Sequence, residues 1–309
     1  MLAPSEVGWN LALYARAWLE ERAKVAVETA EKAALDPARG AVHDVRVAVR
    51  RLREAIAFFR DLPQVPQLVD VDRAARRMAR VVGRLRETDV AVKRLAELSL
   101  RDFDRASSFK QRLIDDLAQW RTERGADKMD RIGKRARQLH EAVRDALPRH
   151  HHAVLHGRDG SHEQDFRAFV EARVALRRAE VERLFAIARS RRSATALARA
   201  TDDLHGVRVA IKHWRYASEI ARPAIPRVLY RPMAVELRRL QDLGGASQDF
   251  ADLARVVEKE LTHTRKIGAE QAAMVKAVRA ARERAATAFA EALAATFPSA
   301  RPTQRPRAS

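Results

Sequence analysis

The sequence of 309 residues contains no cysteine, and several other residue types are scarce. Without cysteine the chain forms neither disulfides nor thiolate metal sites, and this composition fits a reducing cytoplasm. Glycine and proline number 11 each, and aromatic residues make up 6% of the chain. These absences exclude a disulfide framework and favour long helices with few interruptions.

Long apolar runs are also missing. No stretch approaches the ~18 consecutive apolar residues that a membrane-spanning helix needs. The N-terminal segment MLAPSEVGWN lacks the charged region and apolar block of a secretory signal. We therefore expect a soluble protein that is neither exported nor inserted in a membrane.

Acidic residues are few relative to basic ones. The chain has 60 Lys and Arg against 41 Asp and Glu, so its formal net charge is +19 and its sequence pI is near 11.1. Such a surface attracts polyanions. Nucleic acid, an acidic membrane face and a phosphate polymer are all polyanions, so the net charge predicts a polyanionic partner but does not say which one.

The abundant residues predict an all-α chain. Hydrophobic residues make up 47% of the sequence, and apolar residues recur at three- and four-residue spacing over long segments, whereas strand signals are lacking. The predicted helices cover residues 7–35, 41–60, 68–99, 106–124, 127–147, 163–190, 202–221, 232–263 and 267–296.

An internal repeat organises the chain. The string HDVRVAVRRLREAIAFF from His43 returns as HGVRVAIKHWRYASEIA from His205, 162 residues later. GRLRETD from Gly83 aligns with GGASQDF from Gly245 at the same offset. Two matches in one register predict a duplicated helical unit, and each copy is expected to form a bundle.

The segment HHHAVLHGRDGSHEQ, residues 150–164, is the best candidate for a linker between the copies. We expect a first bundle over residues 1–158 and a second over residues 159–298. Residues 299–309 are rich in proline and arginine without a core-forming pattern, which predicts a disordered basic tail.

Basic side chains share one side of the repeated helix. At about 100° per residue, four basic residues of the first copy fall within an arc of about 80°, opposite an apolar face. These residues are His43, Arg46, Arg50 and Arg53. The equivalent positions of the second copy hold His205, Arg208, Lys212 and Arg215, with Tyr216 beside them.

This basic ridge has two interpretations. It is either a solvated basic face or a binding surface for a polyvalent anion. Like charges three and four residues apart repel each other by a few tenths of a kcal/mol, roughly, per pair, and the pattern occurs twice. Arginine offers a planar set of donors that suits phosphate oxygens, so we favour an anion. A histidine three residues before an arginine is by default a structural hydrogen-bonding group, but its repetition favours donation to the anion.

A second basic stripe is predicted on the next long helix. Its first copy consists of Arg73, Arg76, Arg77, Arg80 and Arg84. Arg238 and Arg239 repeat two of these positions, whereas Asp242 and Ala246 replace Arg80 and Arg84. Gly83 and Gly245 are interpreted as points of close helix approach. Arg86–Glu87 and Gln248–Asp249 are interpreted as local polar clamps.

These motifs resemble the CHAD family, the histidine-containing α-helical domain that binds inorganic polyphosphate. The resemblance rests on four strings in order: H-x-x-R-V-x-x-R-R-L-R from His43, VGRLRETDV from Val82, H-x-x-R-V-A-I-K-x-x-R-Y from His205, and LQDLGGASQD from Leu240. It implies two four-helix bundles related by pseudo-twofold symmetry, with polyphosphate held in a basic groove or channel between them.

The resemblance also implies which residues bind polyphosphate. The ligand-facing set is His43, Arg46, Arg50, Arg53, His205, Arg208, Lys212, Arg215 and Tyr216. The stripe residues Arg73, Arg76, Arg80, Arg84, Arg238 and Arg239 complete the predicted set. Gly244 departs from the family, where an apolar residue is common.

The leading hypothesis is therefore non-catalytic polyphosphate binding in the cytoplasm, on polyphosphate granules. The alternative is a general nucleic-acid-binding protein, but no helix-turn-helix or finger is recognisable, and nucleic acid is expected to bind only non-specifically. No glycine-rich phosphate loop, carboxylate pair or activated nucleophile is recognisable, so no catalytic residue and no cofactor are predicted. No metal site is predicted either, because His150, His151, His152 and His156 lie in the linker and are interpreted as a surface tract.

Overall fold

The computed structural model describes residues 10–62, 65, 68–100, 104–147, 160–190, 201–262 and 267–298. These residues form helices and short connections, and none of them lies in a strand. The helices are α1 (Leu11–Leu35), α2 (Arg39–Phe59), α3 (Val69–Glu97), α4 (Ser107–Ala146), α5 (Gly160–Ser190), α6 (Thr201–Ile220), α7 (Arg227–Leu261) and α8 (Ala269–Thr296). A short 3-10 turn at Asp104–Ala106 precedes α4. The all-α prediction is confirmed.

One predicted helix break is wrong. The helices expected over residues 106–124 and 127–147 form a single helix of 40 residues, α4. Gly125 lies inside it, and a Cβ atom at this position would lie 2.8 Å from Nη1 of Arg121. The glycine therefore makes room for the Arg121 side chain and does not end the helix.

The chain forms two compact units, each of which combines separate stretches of sequence. Unit 1 consists of Met1–Asp89, Trp120–Val174 and Tyr216–Arg227. Unit 2 consists of Val90–Gln119, Ala175–Arg215 and Val228–Ser309. Helices α2 and α6 begin 162 residues apart, which is consistent with the repeat, although duplication itself stays a prediction.

The predicted boundary between residues 158 and 159 lies outside the described residues, as does the predicted tail, residues 299–309. The C-terminal end of the predicted linker, residues 160–164, belongs to α5. No helix among the described residues is long and apolar enough to cross a membrane.

The core of unit 1 is built around aromatic side chains. The rings of Tyr14 and Phe166 meet edge to face, with their centres 4.9 Å apart. Phe58 and Phe59 of α2 also pack edge to face, at 4.9 Å. The Tyr14 hydroxyl donates a hydrogen bond to the backbone carbonyl oxygen of Ile220 over 2.5 Å, so the polar end of this buried ring is satisfied.

The core of unit 2 joins α3, α4, α7 and α8 through aliphatic side chains and one phenylalanine. Its members include Leu95, Phe109, Leu113, Leu253, Val257, Met274 and Val278. In the same unit, the ring of Phe289 packs against Gly244 so closely that a Cβ atom there would lie 2.8 to 3.2 Å from three ring carbons. A Cβ atom at Gly245 would meet nothing within 4 Å. The close approach predicted for Gly245 is therefore wrong and belongs to its neighbour, Gly244.

This contrast predicts opposite effects for two adjacent substitutions. Gly244→Ala should lower the free energy of unfolding by about 1–3 kcal/mol, because the new methyl group overpacks the Phe289 ring. Gly245→Ala is the matched control and should raise it by up to about 1 kcal/mol, because alanine favours a helix interior over glycine. Urea unfolding followed by circular dichroism measures both. Equal effects of the two substitutions would contradict the packing described for Gly244.

Candidate anion-binding surfaces

The basic ridge of α2 lies at the surface because the apolar residues of the same helix are used by the core. Val42, Val45, Val49 and Leu52 are all buried on one side of α2. On the other side His43 is exposed and the next two ridge residues, Arg46 and Arg50, are half-buried. The helical period thus gives α2 one apolar and one basic side, as the sequence predicts.

Positive charges from α2 and α3 surround His43. Although His43 is exposed, its imidazole is partly desolvated by the protein, which lowers its pKa; the charges of Arg86, Arg50 and Arg46 lower it further, while Asp44 acts in the opposite direction. Arg46 reaches across to α3, where its Nη1 would lie 3.7 Å from a Cβ atom at Gly83. His43, Arg46, Arg50 and Arg86 therefore belong to one electropositive surface of unit 1.

Arg86 is the member that the sequence interpretation missed. The sequence places it in a polar clamp with Glu87, and in the structure its charge acts on His43. The available signal was its place in the GRLRETD string, which repeats together with the histidine.

Three other predicted arginines are paired with two carboxylates within unit 1. Arg53 donates from Nε to Oδ1 of Asp72 over 2.8 Å, and Arg76 donates from Nε to Oδ2 of the same carboxylate over 2.8 Å. Arg73 donates from Nη1 to Oδ1 of Asp70 over 2.5 Å. Asp72 thus joins α2 to α3. Arg53 and Arg76 share the one charge of Asp72, so the three arginines are compensated in part and offer less net charge to a ligand than three unpaired arginines would.

The remaining stripe residues of α3, Arg80 and Arg84, are exposed. Arg77 is exposed as well and lines a polar groove with Arg73, Gln138 and Glu141. Because acidic side chains share this groove, it does not form a continuous cationic surface.

A buried ion pair fixes the start of α2 relative to α3 and α4. Arg121 donates from Nε to Oδ1 of Asp89 over 2.9 Å and from Nη2 to the carbonyl oxygen of Pro37 over 2.6 Å. Only 7% of Arg121 and 5% of Asp89 are exposed. Arg39, an exposed side chain, lies 3.5 Å from the same carboxylate oxygen. This network positions the helix that carries His43.

In unit 2, a hydrogen-bonded chain orients His205 of α6. Gln248 donates from Nε2 to Oδ1 of Asp252 over 2.9 Å, which leaves its Oε1 to accept from Nδ1 of His205, 2.5 Å away. Nδ1 therefore carries the proton, and Nε2 of the neutral ring is an acceptor. Gln248 follows Arg86 by 162 residues, so each histidine interacts with the residue at the same repeat position on the next helix.

The other predicted residues of α6 differ in exposure. Arg208, Lys212 and Arg215 are half-buried side chains. Tyr216 is only 5% exposed and belongs to unit 1. Its predicted contact with a ligand stays a prediction, but the burial of its ring leaves little surface for one.

The arginines of α7 resemble those of α3. Arg238 is exposed, whereas Arg239 is paired through Nε and Nη2 with the two carboxylate oxygens of Glu236, at 2.9 Å each. Asp249, interpreted as part of a clamp, instead accepts hydrogen bonds from Arg94. These pairs compensate charge within unit 2.

No group of three or more His, Asp or Glu side chains among the described residues is arranged to hold a metal ion. His150, His151, His152 and His156 lie outside those residues, so their interpretation as a surface tract stays a prediction.

The chain is similar to known proteins of one family. The sequence model of the CHAD domain matches residues 17–258. A crystal structure of the CHAD domain from the plant Ricinus communis is similar with a TM-score of 0.60 and 19% sequence identity, over 95% of this chain and 93% of that chain. At this identity the likeness shows the fold alone. A search of curated proteins gave no match.

The buried pair predicts a large difference between two substitutions at one carboxylate. Asp89→Ala should lower the free energy of unfolding by about 3–5 kcal/mol, because the buried guanidinium of Arg121 loses its counter-charge. Arg39→Gln removes the exposed partner of Asp89 and should cost less than about 1 kcal/mol. Urea unfolding measures both, and a loss for Asp89→Ala no larger than that of Arg39→Gln would contradict the role of the pair.

Proposed function

The chain belongs to the CHAD family, and we propose that it binds inorganic polyphosphate on the basic surfaces of α2 and α6 without catalysing a reaction. The observation that carries the proposal is the convergence of Arg46, Arg50 and Arg86 on His43, where burial and positive charge together lower the pKa of the imidazole. An anion at this surface would reverse the electrostatic effect on His43.

Each residue type on the α2 surface has a distinct part in this proposal. The guanidinium groups of Arg46 and Arg50 offer paired N–H donors to phosphate oxygens. His43 is neutral near pH 7 in the free protein because its pKa is lowered. A bound phosphate stabilises the imidazolium form, so binding raises this pKa and His43 becomes a charged donor.

On α6 the hydrogen bond from Nδ1 of His205 to Gln248 holds the ring in one orientation. Arg208, Lys212 and Arg215 follow along the helix and supply the N–H donors to the phosphate oxygens, because an unprotonated Nε2 accepts hydrogen bonds and does not donate them. A linear polymer with about one negative charge per phosphate matches such a row of cations, and the release of counterions contributes to affinity, as for other polyanions.

Nucleic acid is the competing polyanion, and the surroundings of the α6 surface favour polyphosphate over it. Single-stranded nucleic acid binds through aromatic side chains on which its bases stack. Trp214 and Tyr216, the aromatic residues of α6, are 6% and 5% exposed. They offer no such platform, whereas polyphosphate has no bases and needs none.

The proposal extends to location and chemistry. A protein with these surfaces would associate with polyphosphate granules in the cytoplasm. It would hold the polymer without cleaving it, because binding and charge compensation are the roles proposed for its histidines. Orthophosphate release from polyphosphate that is lost on His43→Ala would contradict this part of the proposal.

The first test removes two charges from the α2 surface. Arg46→Gln with Arg50→Gln should weaken binding of long-chain polyphosphate by about 10–100-fold and reduce the slope of log affinity against log salt by about 2. Arg73→Gln with Arg76→Gln is the matched control, because these arginines are paired with Asp70 and Asp72, and it should change affinity less. Calorimetric titration at several salt concentrations measures both.

Equal losses in the two double variants would contradict a specific α2 surface. The same titrations with single-stranded DNA at equal phosphate concentration separate the two polyanions. DNA that competes equally with polyphosphate would favour the nucleic-acid alternative.

The second test uses pH. Because the pKa of His43 is lowered in the free protein and raised in the complex, binding takes up a proton between these two pKa values. Affinity for polyphosphate should therefore rise as pH falls from about 7.5 to about 6, by at most about tenfold per pH unit for one proton.

His43→Gln should flatten this pH profile. His140→Gln is the control, because His140 is an exposed histidine of unit 1 that contacts Glu31 over 2.9 Å. A profile that is equally steep in wild type and in His43→Gln would contradict the protonation of His43 on binding.

A further inference from the structure

A second row of cations lies on α4 of unit 1, on a helix to which no ligand contact has been assigned. Arg121, Arg124, Lys128 and Arg131 follow one another at intervals of three, four and three residues. His43, Arg46, Arg50 and Arg53 follow the same intervals on α2. At about 100° per residue, the α4 residues therefore also fall within an arc of about 80°.

Lys128 is at the centre of this row and is half-buried. Its ammonium nitrogen lies 5.8 Å from the centre of the Trp120 ring, so the side chain is held against α4. Burial lowers the pKa of Lys128, and the charges of Arg84, Arg131, Arg121 and Arg124 lower it further. Its ammonium group is thus surrounded by positive charge from α3 and α4.

The acids nearby compensate this row only in part. Asp89 is buried with Arg121 and fixes its guanidinium. Asp127 lies 3.2 Å from Nη1 of Arg124 and compensates this arginine in part, as Asp70 does for Arg73. Among the described residues, no carboxylate lies within 4 Å of the Lys128 ammonium or the Arg131 guanidinium. Arg84 and Arg131 are exposed. The row therefore keeps a positive charge at the surface that an anion would stabilise.

The α4 row approaches α2 at its first residue, because Asp89 of α3 accepts from Arg121 and lies 3.5 Å from Arg39 of α2. Arg46 of α2 contacts the position of Gly83, and Arg84 is the next residue of α3. Arg84 in turn acts on Lys128. The cations of the three helices are thus linked through α3, and the row itself extends for about 15 Å along α4, given the rise of 1.5 Å per residue.

We propose that Arg84, Arg124, Lys128 and Arg131 form a second anion-binding surface of unit 1, which holds a further segment of a linear phosphate polymer. The proposal rests on the proposed function for the nature of the ligand. The extended row fits a linear polyanion better than a compact one. Lys128 acts as a point charge in its middle, and Arg121, anchored by Asp89, maintains the position of α4.

The test compares two double variants of α4. Lys128→Gln with Arg131→Gln removes two charges from the row. Arg137→Gln with Arg144→Gln removes two exposed charges from the opposite side of the helix. The first should weaken long-chain polyphosphate binding about tenfold and lower the salt slope by up to about 2, whereas the control should cause a smaller loss. Equal effects would overturn the second surface.

A direct readout is the pKa of Lys128 itself. Reductive methylation with carbon-13 labels the lysines for NMR, and Lys128→Gln assigns the Lys128 signal by its loss. Tripolyphosphate should raise the pKa of Lys128 from its lowered value. A Lys128 signal that titrates identically with and without tripolyphosphate would overturn the inference.

The two proposals fail in distinguishable ways. If wild-type protein binds no long-chain polyphosphate, the proposed function is wrong, and the second surface is wrong with it. If binding is lost in Arg46→Gln with Arg50→Gln but kept in Lys128→Gln with Arg131→Gln, only the second surface is wrong.

Discussion

Repulsion among cations that the helical period places side by side is the constraint on which the surfaces of this protein depend. The apolar side of α2 is buried through Val45, Val49 and Leu52, so its basic residues must share the other side. Part of the resulting charge is compensated internally, as in the pairing of Arg53 with Asp72. The positive charge of the arginines that act on His43 is not balanced by the negative charge of Asp44. This difference separates arginines that hold helices together from those that can meet an anion.

Helix α3 both anchors the neighbouring helices through its acidic residues and contributes basic residues to the surface. Its acids, Asp72 and Asp89, fasten the helices that carry basic residues, since Asp72 accepts from Arg53 of α2 and Asp89 accepts from Arg121 of α4. Its cations, Arg84 and Arg86, act on Lys128 and His43 respectively. One helix thus fixes the geometry of unit 1 and contributes to its positive surface, so a loss of stability and a loss of binding must be measured separately in any α3 variant.

The sequence predicted the helical class and the exposed side of α2 because both follow from spacing along a single helix. It did not predict that Gly125 lies within a continuous α4, because the guanidinium of Arg121, four residues earlier on the same helix, is fixed by partners outside α4, Asp89 and Pro37. Nor did it predict the Arg53–Asp72 pair, whose members are on different helices. The burial of Tyr216 could not be predicted either, because a residue at the edge of the basic ridge can face the solvent or the core. The row around Lys128 did carry a readable signal, its three-four-three spacing.

The central claim is that an anion reverses the electrostatic environment of His43. An NMR titration of the His43 imidazole, with and without polyphosphate at low salt, measures this most directly. The account predicts a pKa below the ordinary histidine value in the free protein and a pKa above that value in the complex. A His43 pKa that is the same in the two titrations, under conditions in which polyphosphate is bound, would contradict it.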